Sequence, residues 1–414
     1  MEKLKITLKN LYRTYPKKFW MLIGALFIDR VGGALIFPFL SLYMTEKFGV
    51  GMVQVGALLA VHSGSAFFGN MLGGALADKF GRKSMLILGL ILSASISLGM
   101  GFIERWEVFY FLAFLTGFVS EIGHPAAQAM MTDILPSHQR VEGFGVLRVA
   151  MNLAVTFGPA IGGVLAGISY LLLFILDCVI STITAVIVYF SLEETKPEKL
   201  PNEKEENMLQ SIGGYGRILK DKIFIAFLFL TTLTAIVYMQ MNATLGVFLR
   251  DMHAISSQQF GFILSLNATL VVLFQFLISR QVKKFHPLHV MMAGNLFYAI
   301  GFSMYGYTSQ YWQFLAAMAI ITIGEMINAP IVQSLIANIA PKDMRGRYMA
   351  AFQNTYGIAI AIGPLLAGIV MDTHNPNWVW WGGGIILLIV IMGYIVLKSK
   401  VGERIHAINN ANQM

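Results

Sequence analysis

Twelve long apolar runs, separated by short polar stretches, decide what this chain can fold into. They lie near residues 19–44, 53–77, 84–103, 108–131, 144–168, 170–192, 223–249, 257–279, 288–308, 311–338, 348–371 and 378–397. A helix needs about 20 apolar residues to cross about 30 Å of hydrocarbon. Backbone polar groups in lipid must be satisfied within their own segment, so these runs are expected to be transmembrane helices. Too little of the 414 residues remains for a sizeable soluble domain. Only 13% of the residues are charged, about half of what a soluble domain uses to wet its surface. The first run is charged at its centre (Asp29, Arg30) and longer than the apolar core of a cleaved signal peptide. Collagen-like, disordered, disulfide-stapled and nucleic-acid-binding classes are excluded. Cys178 is the one cysteine and has no partner in the chain for a bridge.

The net charge of +8 would suggest an anionic partner if it were clustered on one soluble face. Instead it is divided by the spans. With twelve crossings, the termini and even-numbered loops carry 25 Lys and Arg, and the odd-numbered loops carry only Lys47, Arg105 and Arg250. This positive-inside pattern predicts an even number of spans and both termini in the cytoplasm, in a multi-pass plasma-membrane protein.

A shift of 205 residues lays the chain on itself. It pairs Lys17 with Lys222, Phe19 with Phe224, Gly56 with Gly261, Gly89 with Gly294, Pro125 with Pro330, Arg140 with Arg345 and Gly158-Pro159 with Gly363-Pro364. The expected fold class is therefore an all-α membrane protein, with twelve transmembrane helices in two pseudo-symmetric six-helix halves. Its domains would be residues 1–192, a cytoplasmic linker at 193–222, residues 223–398 and a cytoplasmic tail at 399–414. The linker, with six basic and seven acidic residues plus Pro197 and Pro201, reads as a solvated tether. Two such parallel halves place a substrate site near the bilayer midplane.

After the second span comes Gly74-Ala-Leu76-Ala-Asp78-Lys79-Phe-Gly81-Arg82-Lys83-Ser-Met-Leu86. Small residues let this helix approach a neighbour closely, and Gly81 permits a tight turn. These residues resemble the signature loop of the major facilitator superfamily of secondary transporters, matching G-x-L-x-D-x-x-G-R-K-x-x-L at every fixed position. The resemblance implies a cytoplasmic latch, in which Asp78 faces the start of span eleven and Arg82 pairs with Asp133 at the end of span four. The repeat of this loop at Gln281–Pro287 lacks the Asp and the Gly. In span five, Gly158-Pro159-Ala-Ile-Gly162-Gly163 is similar to the Gly-Pro motif of the drug/proton antiporter branch. Proline removes a helix hydrogen bond and glycine removes bulk, so this helix can bend and pack closely.

Charges inside spans must face protein or water. Asp29 lies about 15 Å into span one at 1.5 Å per residue, with Arg30 turned by about 100° from it. Glu121 and His124 are three apart and expected on one face of span four, with Arg148 of span five placed to neutralise Glu121. Asp177 reads as structural and His62 as a packing residue. Glu325 is the one acid well inside a second-half span, and no base in those spans satisfies it. Such a carboxyl holds a proton or meets a cation. The 24 Met and 51 aromatic residues permit an adaptable lipophilic pocket, with Tyr43, Tyr238, Met239, Met241, Phe297, Tyr298 and Trp312 as candidates.

No HExxH, GxSxG or GxxxxGK occurs, so enzyme chemistry, a catalytic metal and a cofactor are not expected. A channel has no need of two repeated halves with a latch. The reading is a monomeric secondary transporter among membrane lipids, exporting lipophilic and often cationic small molecules in exchange for protons. The alternative is a proton-coupled symporter, or an exporter of a sugar, lipid or other specific metabolite.

Overall fold

The computed structural model describes residues 13–136, 139–196, 218–282, 284–341 and 344–411. Residues 197–217 of the expected linker, with Pro197 and Pro201, lie outside these. No strand occurs among the described residues. Twelve crossings follow in chain order. Helix α1 (Lys17–Phe48) is interrupted by a 3-10 turn at Phe37–Phe39. Then come α2 (Met52–Phe80), α3 (Arg82–Phe102), α4 (Trp106–Ile134), α5 (Arg140–Ile168) and α6 (Tyr170–Ser191). Helix α7 (Lys222–Ala243) is continued by Leu245–His253. The chain ends with α8 (Ser257–Val282), α9 (Pro287–Tyr305), α10 (Tyr311–Ile339), α11 (Arg345–Thr373) and α12 (Asn377–Ala411). Eleven of these are long and apolar enough to cross a membrane. The twelfth, α9, has 19 residues, which at 1.5 Å per residue is about 28 Å, and its apolarity is diluted by His289 and Asn295.

The 205-residue repeat is written into the helix ends. Adding 205 to Lys17 and Phe48 gives Lys222 and His253, and adding it to Trp106 and Ile134 gives Tyr311 and Ile339. Arg140 and Ile168 likewise become Arg345 and Thr373. Even the interruptions correspond, since Phe39, where the 3-10 turn of α1 ends, maps onto Thr244, where α7 breaks. Gly49 closes the second piece of α1 in the left-handed region at φ 63°, and Ala254 closes the continuation of α7 at φ 55°.

The chain divides into two compact units. One is bounded by Met1–Gly49, Ala60–Lys199 and Ser256–Ser265, the other by Val50–Leu59, Leu200–Ile255 and Leu266–Met414. In the first, α1 packs on α5 and α6, and α3 on α4 and α6, around Phe19, Leu22, Met130, Met131 and Val188. In the second, α7 packs on α11 and α12, and α9 on α10 and α12, around Phe224, Phe227, Leu335, Ile336 and Tyr394. Phe19, Leu22, Met130 and Met131 are the repeat mates of Phe224, Phe227, Leu335 and Ile336. Two equivalent cores thus arise from one duplicated pattern.

Each unit contains a segment contributed across the repeat. In the first, a Cβ at Gly163 of α5 would lie 2.8 Å from the Cα of Gly261 of α8, and one at Gly261 the same distance from Gly163. In the second, the opening turns of α2 meet α11, where a Cβ at Gly56 would reach the Leu365 backbone at 2.4 Å and one at Gly368 the Met52 carbonyl at 2.4 Å. Gly56 and Gly163 become Gly261 and Gly368 under the same shift. Only glycine allows backbones this close. Asp372 of α11 accepts from the backbone N–H groups of Met52 at 2.9 Å and Val53 at 2.8 Å, capping α2.

Candidate functional site

In the second unit, Glu325 of α10 is half-buried. The side-chain amide of Asn267 on α8 donates to its carboxylate at 2.8 Å and to Thr322 Oγ1 at 2.9 Å. Thr322 and Glu325 are three residues apart, on one face of α10, so a single amide can bridge them. Thr322 in turn donates to the Met318 carbonyl at 2.7 Å. The Tyr238 side chain on α7 lies beside Glu325, and its ring lies 5.7 Å from that of Tyr298 on α9. No basic side chain among the described residues pairs with Glu325. One turn further along α10, the buried Asn328 amide fills the notch left by Gly294, where a Cβ would come within 2.6 Å of its Cγ. Neither polar atom of that amide has a hydrogen-bond partner among the described residues.

Asn267, Thr322 and Asn328 did not stand out as candidates in the sequence. The signal was present, because a polar amide in an apolar span needs a partner or a ligand. Trp312, by contrast, is 66% exposed. Tyr43 is buried, donates to the Met100 carbonyl at 3.1 Å and packs among Phe48, Phe109, Tyr170 and Phe174.

In the first unit, Ser181 of α6 donates to Asp29 of α1 at 2.8 Å, and Ser97 of α3 donates to Asp177 of α6 at 2.8 Å. Gly32, one turn along α1 from Asp29, leaves room for Asp177, whose Oδ1 a Cβ there would meet at 2.7 Å. Two acids therefore share the seam of α1 and α6. Arg30, turned away from Asp29 along the helix, is exposed.

The arrangement expected around Glu121 is corrected by the structure. Helix α4 is interrupted between Ser120 and Gly123, so Glu121 and His124 do not stand on one continuous helical face. The cause is Pro125, whose ring crowds the carbonyl four residues back, that of Glu121, and which has no N–H to return. Close packing with α2 follows at the break, where a Cβ at Gly73 would meet the Ile122 carbonyl at 2.5 Å. Glu121 accepts from Asn70 at 3.3 Å. Arg148 and His124 are exposed, and no Glu121–Arg148 ion pair occurs among the described residues. His62 Nδ1 is bonded to the Ala113 carbonyl at 3.0 Å.

At the signature loop, the Arg82 guanidinium is ion-paired with Asp133, both side chains largely covered. Gly81 holds φ at 102°, a region that glycine enters without the clash a Cβ would bring. Asp78 is exposed, with no side-chain hydrogen bond among the described residues. Lys83 donates to the Tyr189 carbonyl at 2.6 Å, and Gly74 faces the Pro125 side chain. In α5, Gly158 and Gly162 abut α1, where a Cβ would meet Ala34 Cβ at 2.4 Å and the Leu35 carbonyl at 2.5 Å. Pro159 stays within the helix. Gly158 and Gly162 thus serve one neighbour and Gly163 another.

Long apolar helices in two duplicated sets define a polytopic membrane protein, and the carboxylates of Asp29, Asp177 and Glu325 lie along them without an ion-pair partner among the described residues. The sequence profile of the Major Facilitator Superfamily matches residues 22–254 and 230–410, and the chain belongs to that family. It is 31% identical over 376 residues to a Na(+), Li(+), K(+)/H(+) antiporter of Planococcus maritimus, covering 83% of this chain and 87% of the relative. It is 24% identical over 395 residues to multidrug resistance protein MdtH of Escherichia coli (strain SE11), covering 94% and 96%. Among solved structures, nucleoside transporter NupG superposes with a TM-score of 0.74 at 16% identity, covering 92% of this chain and 99% of that one. Peptide transporter POT (E310Q mutant) gives 0.77 at 14% identity, covering 94% and 96%. At that identity the two structures speak for the fold alone.

Proposed function

We propose that the chain is a proton-coupled antiporter that exports lipophilic, often cationic compounds by alternating access. The observation that carries this reading is Glu325, a carboxylate within an apolar helix, held by Asn267 beside Tyr238 and paired with no base among the described residues. Such a group is stable when protonated or when a cation sits against it, so binding one releases the other. The aromatic faces of Tyr238 and Tyr298 suit an organic cation. Asp29 serves as the second proton site. Two six-helix halves, residues 1–192 and 223–398, are joined by a cytoplasmic linker, and the 25 to 3 division of Lys and Arg supports cytoplasmic termini in the cell membrane. In this reading Arg82 and Asp133, with Asp78, form the cytoplasmic latch.

A second reading is exchange of inorganic monovalent cations. The oxygens of Glu325, Thr322 and Tyr238 favour it, as does the named activity of the Planococcus relative. Purified protein in sealed liposomes with an imposed pH gradient tests both, using lipophilic cations, neutral drugs, sugars and alkali cations as a panel. Proton-linked movement of organic cations supports the first reading, and of alkali ions alone the second. In either case Asp29→Asn should weaken gradient-driven flux more than substrate binding. No proton-linked flux of any member would overturn both.

A further inference from the structure

The turn between α2 and α3 leaves the first amides of α3 without intrahelical acceptors, and Gly81, which precedes them, has no side chain to offer. A carboxylate 112 positions away in sequence fills the gap. Glu194, just past the end of α6, accepts from the Arg82 amide at 2.8 Å and from the Lys83 amide at 3.2 and 3.4 Å. The same carboxylate takes the amides of Thr195 and Lys196, each at 3.0 Å. A Cβ on Gly81 would lie 2.4 Å from Glu194 Oε2, so the glycine is needed for the carboxylate to enter as well as for the turn. Lys196 donates to the Lys79 carbonyl at 2.8 Å, and Glu193 pairs with Lys18 at 2.6 Å. The head of the expected linker is thus tied to the loop through Glu194 and Lys196 and to the start of α1 through Glu193. Negative charge at this point also meets the positive end of the α3 dipole.

We propose that Glu194 is the positioning residue of the signature loop, fixing the backbone from which Arg82 reaches Asp133. The proposal rests on the latch reading and adds to it a part drawn from the exit of α6. Arg82 is held twice, by its amide through Glu194 and by its guanidinium through Asp133. Linker and latch then move as one piece, so releasing either loosens the other.

The test uses the full-length protein, with hydrogen–deuterium exchange over residues 79–86 and pH-gradient-driven uptake in liposomes. Glu194→Ala should expose the Arg82 and Lys83 amides and slow maximal uptake about fivefold, the size of effect a lost helix cap brings. Glu194→Gln, which keeps an acceptor oxygen but not the charge, should fall between. Gly81→Ala expels the carboxylate from the other side and should reproduce both changes with Glu194 intact. A largely unchanged KM beside a lowered maximal rate marks positioning rather than general damage. The proposal is overturned if the two amides exchange no faster in Glu194→Ala, or if that variant takes up substrate at the wild-type rate while Arg82→Ala is impaired. Should Arg82→Ala also transport normally, the latch reading itself has failed.

Discussion

Asn267 on α8 and Glu325 on α10 are joined by one charge-capable hydrogen bond of 2.8 Å. Removing the charge with Glu325→Gln keeps the size and the Tyr238 contact. Uptake of cationic substrates should fall at least about tenfold, corresponding to about 1.4 kcal/mol of lost recognition, with a smaller effect on neutral ones. Asn267→Ala should show a weaker version of the same selectivity. Equal losses for charged and neutral substrates would argue against a role in charge recognition.

Arg82 and Asp133 form a largely covered pair, so each should be more damaging to lose alone than exposed pairs are. Arg82→Ala and Asp133→Ala are expected to lower turnover, and the double variant to be no worse than the poorer single one. A double-mutant cycle measures this directly. Additive losses would separate the two residues.

Asp372 caps α2 from α11 in a place where the repeat has Gly167. Asp372→Ala should destabilise the protein by about 1 kcal/mol, as other lost N-caps do. Faster exchange of the Met52 and Val53 amides should accompany the fall in thermal midpoint.

Ala254 occupies the left-handed region at φ 55°, where a Cβ costs about 1 kcal/mol. Ala254→Gly removes that clash but frees the unfolded chain, which returns part of the gain. A net rise in thermal stability of about 0.5 kcal/mol is expected, with uptake unchanged. A fall in thermal midpoint would mean that the alanine methyl contributes packing exceeding its strain.

Glu194 lies outside the spans. Burial pushes its carboxyl up, but the amides of Arg82, Lys196, Thr195 and Lys83 outweigh this and hold it below the ordinary carboxylate range. A group whose folded value is depressed contributes stability above its unfolded value and loses it as pH falls through the folded one. Protection of the Arg82 and Lys83 amides should therefore be constant from about pH 6 to 8 and be lost only in acid below about pH 4. Loss of protection near neutrality would contradict this ordering.

Much of the architecture was legible because apolar length and a duplicated register leave few alternatives. The shift that aligns Gly158-Pro159 with Gly363-Pro364 also places helix ends such as Ile134 and Ile339. The α4 break was harder to see, since Pro125 acts on a carbonyl four residues earlier and so spoils the Glu121–His124 face at a distance. Glu194 was hidden for another reason. A charged residue in a charged stretch looks solvated until the fold brings two uncapped amides beside it. Asn267 was overlooked because amides carry no formal charge, although in an apolar span they are as demanding as many groups that do.

The glycine contact between α5 and α8 has a consequence for kinetics. Gly163 and Gly261 meet through backbone atoms alone, so their attraction is dispersion, which fades within an ångström or so of separation. Parting them requires no charge to be rehydrated and no counterion to be recruited. Movement at this seam should therefore be indifferent to ionic strength, while any step that breaks Arg82 from Asp133 should quicken in salt. A transport cycle containing both would reveal, by its salt dependence, which of the two is slower.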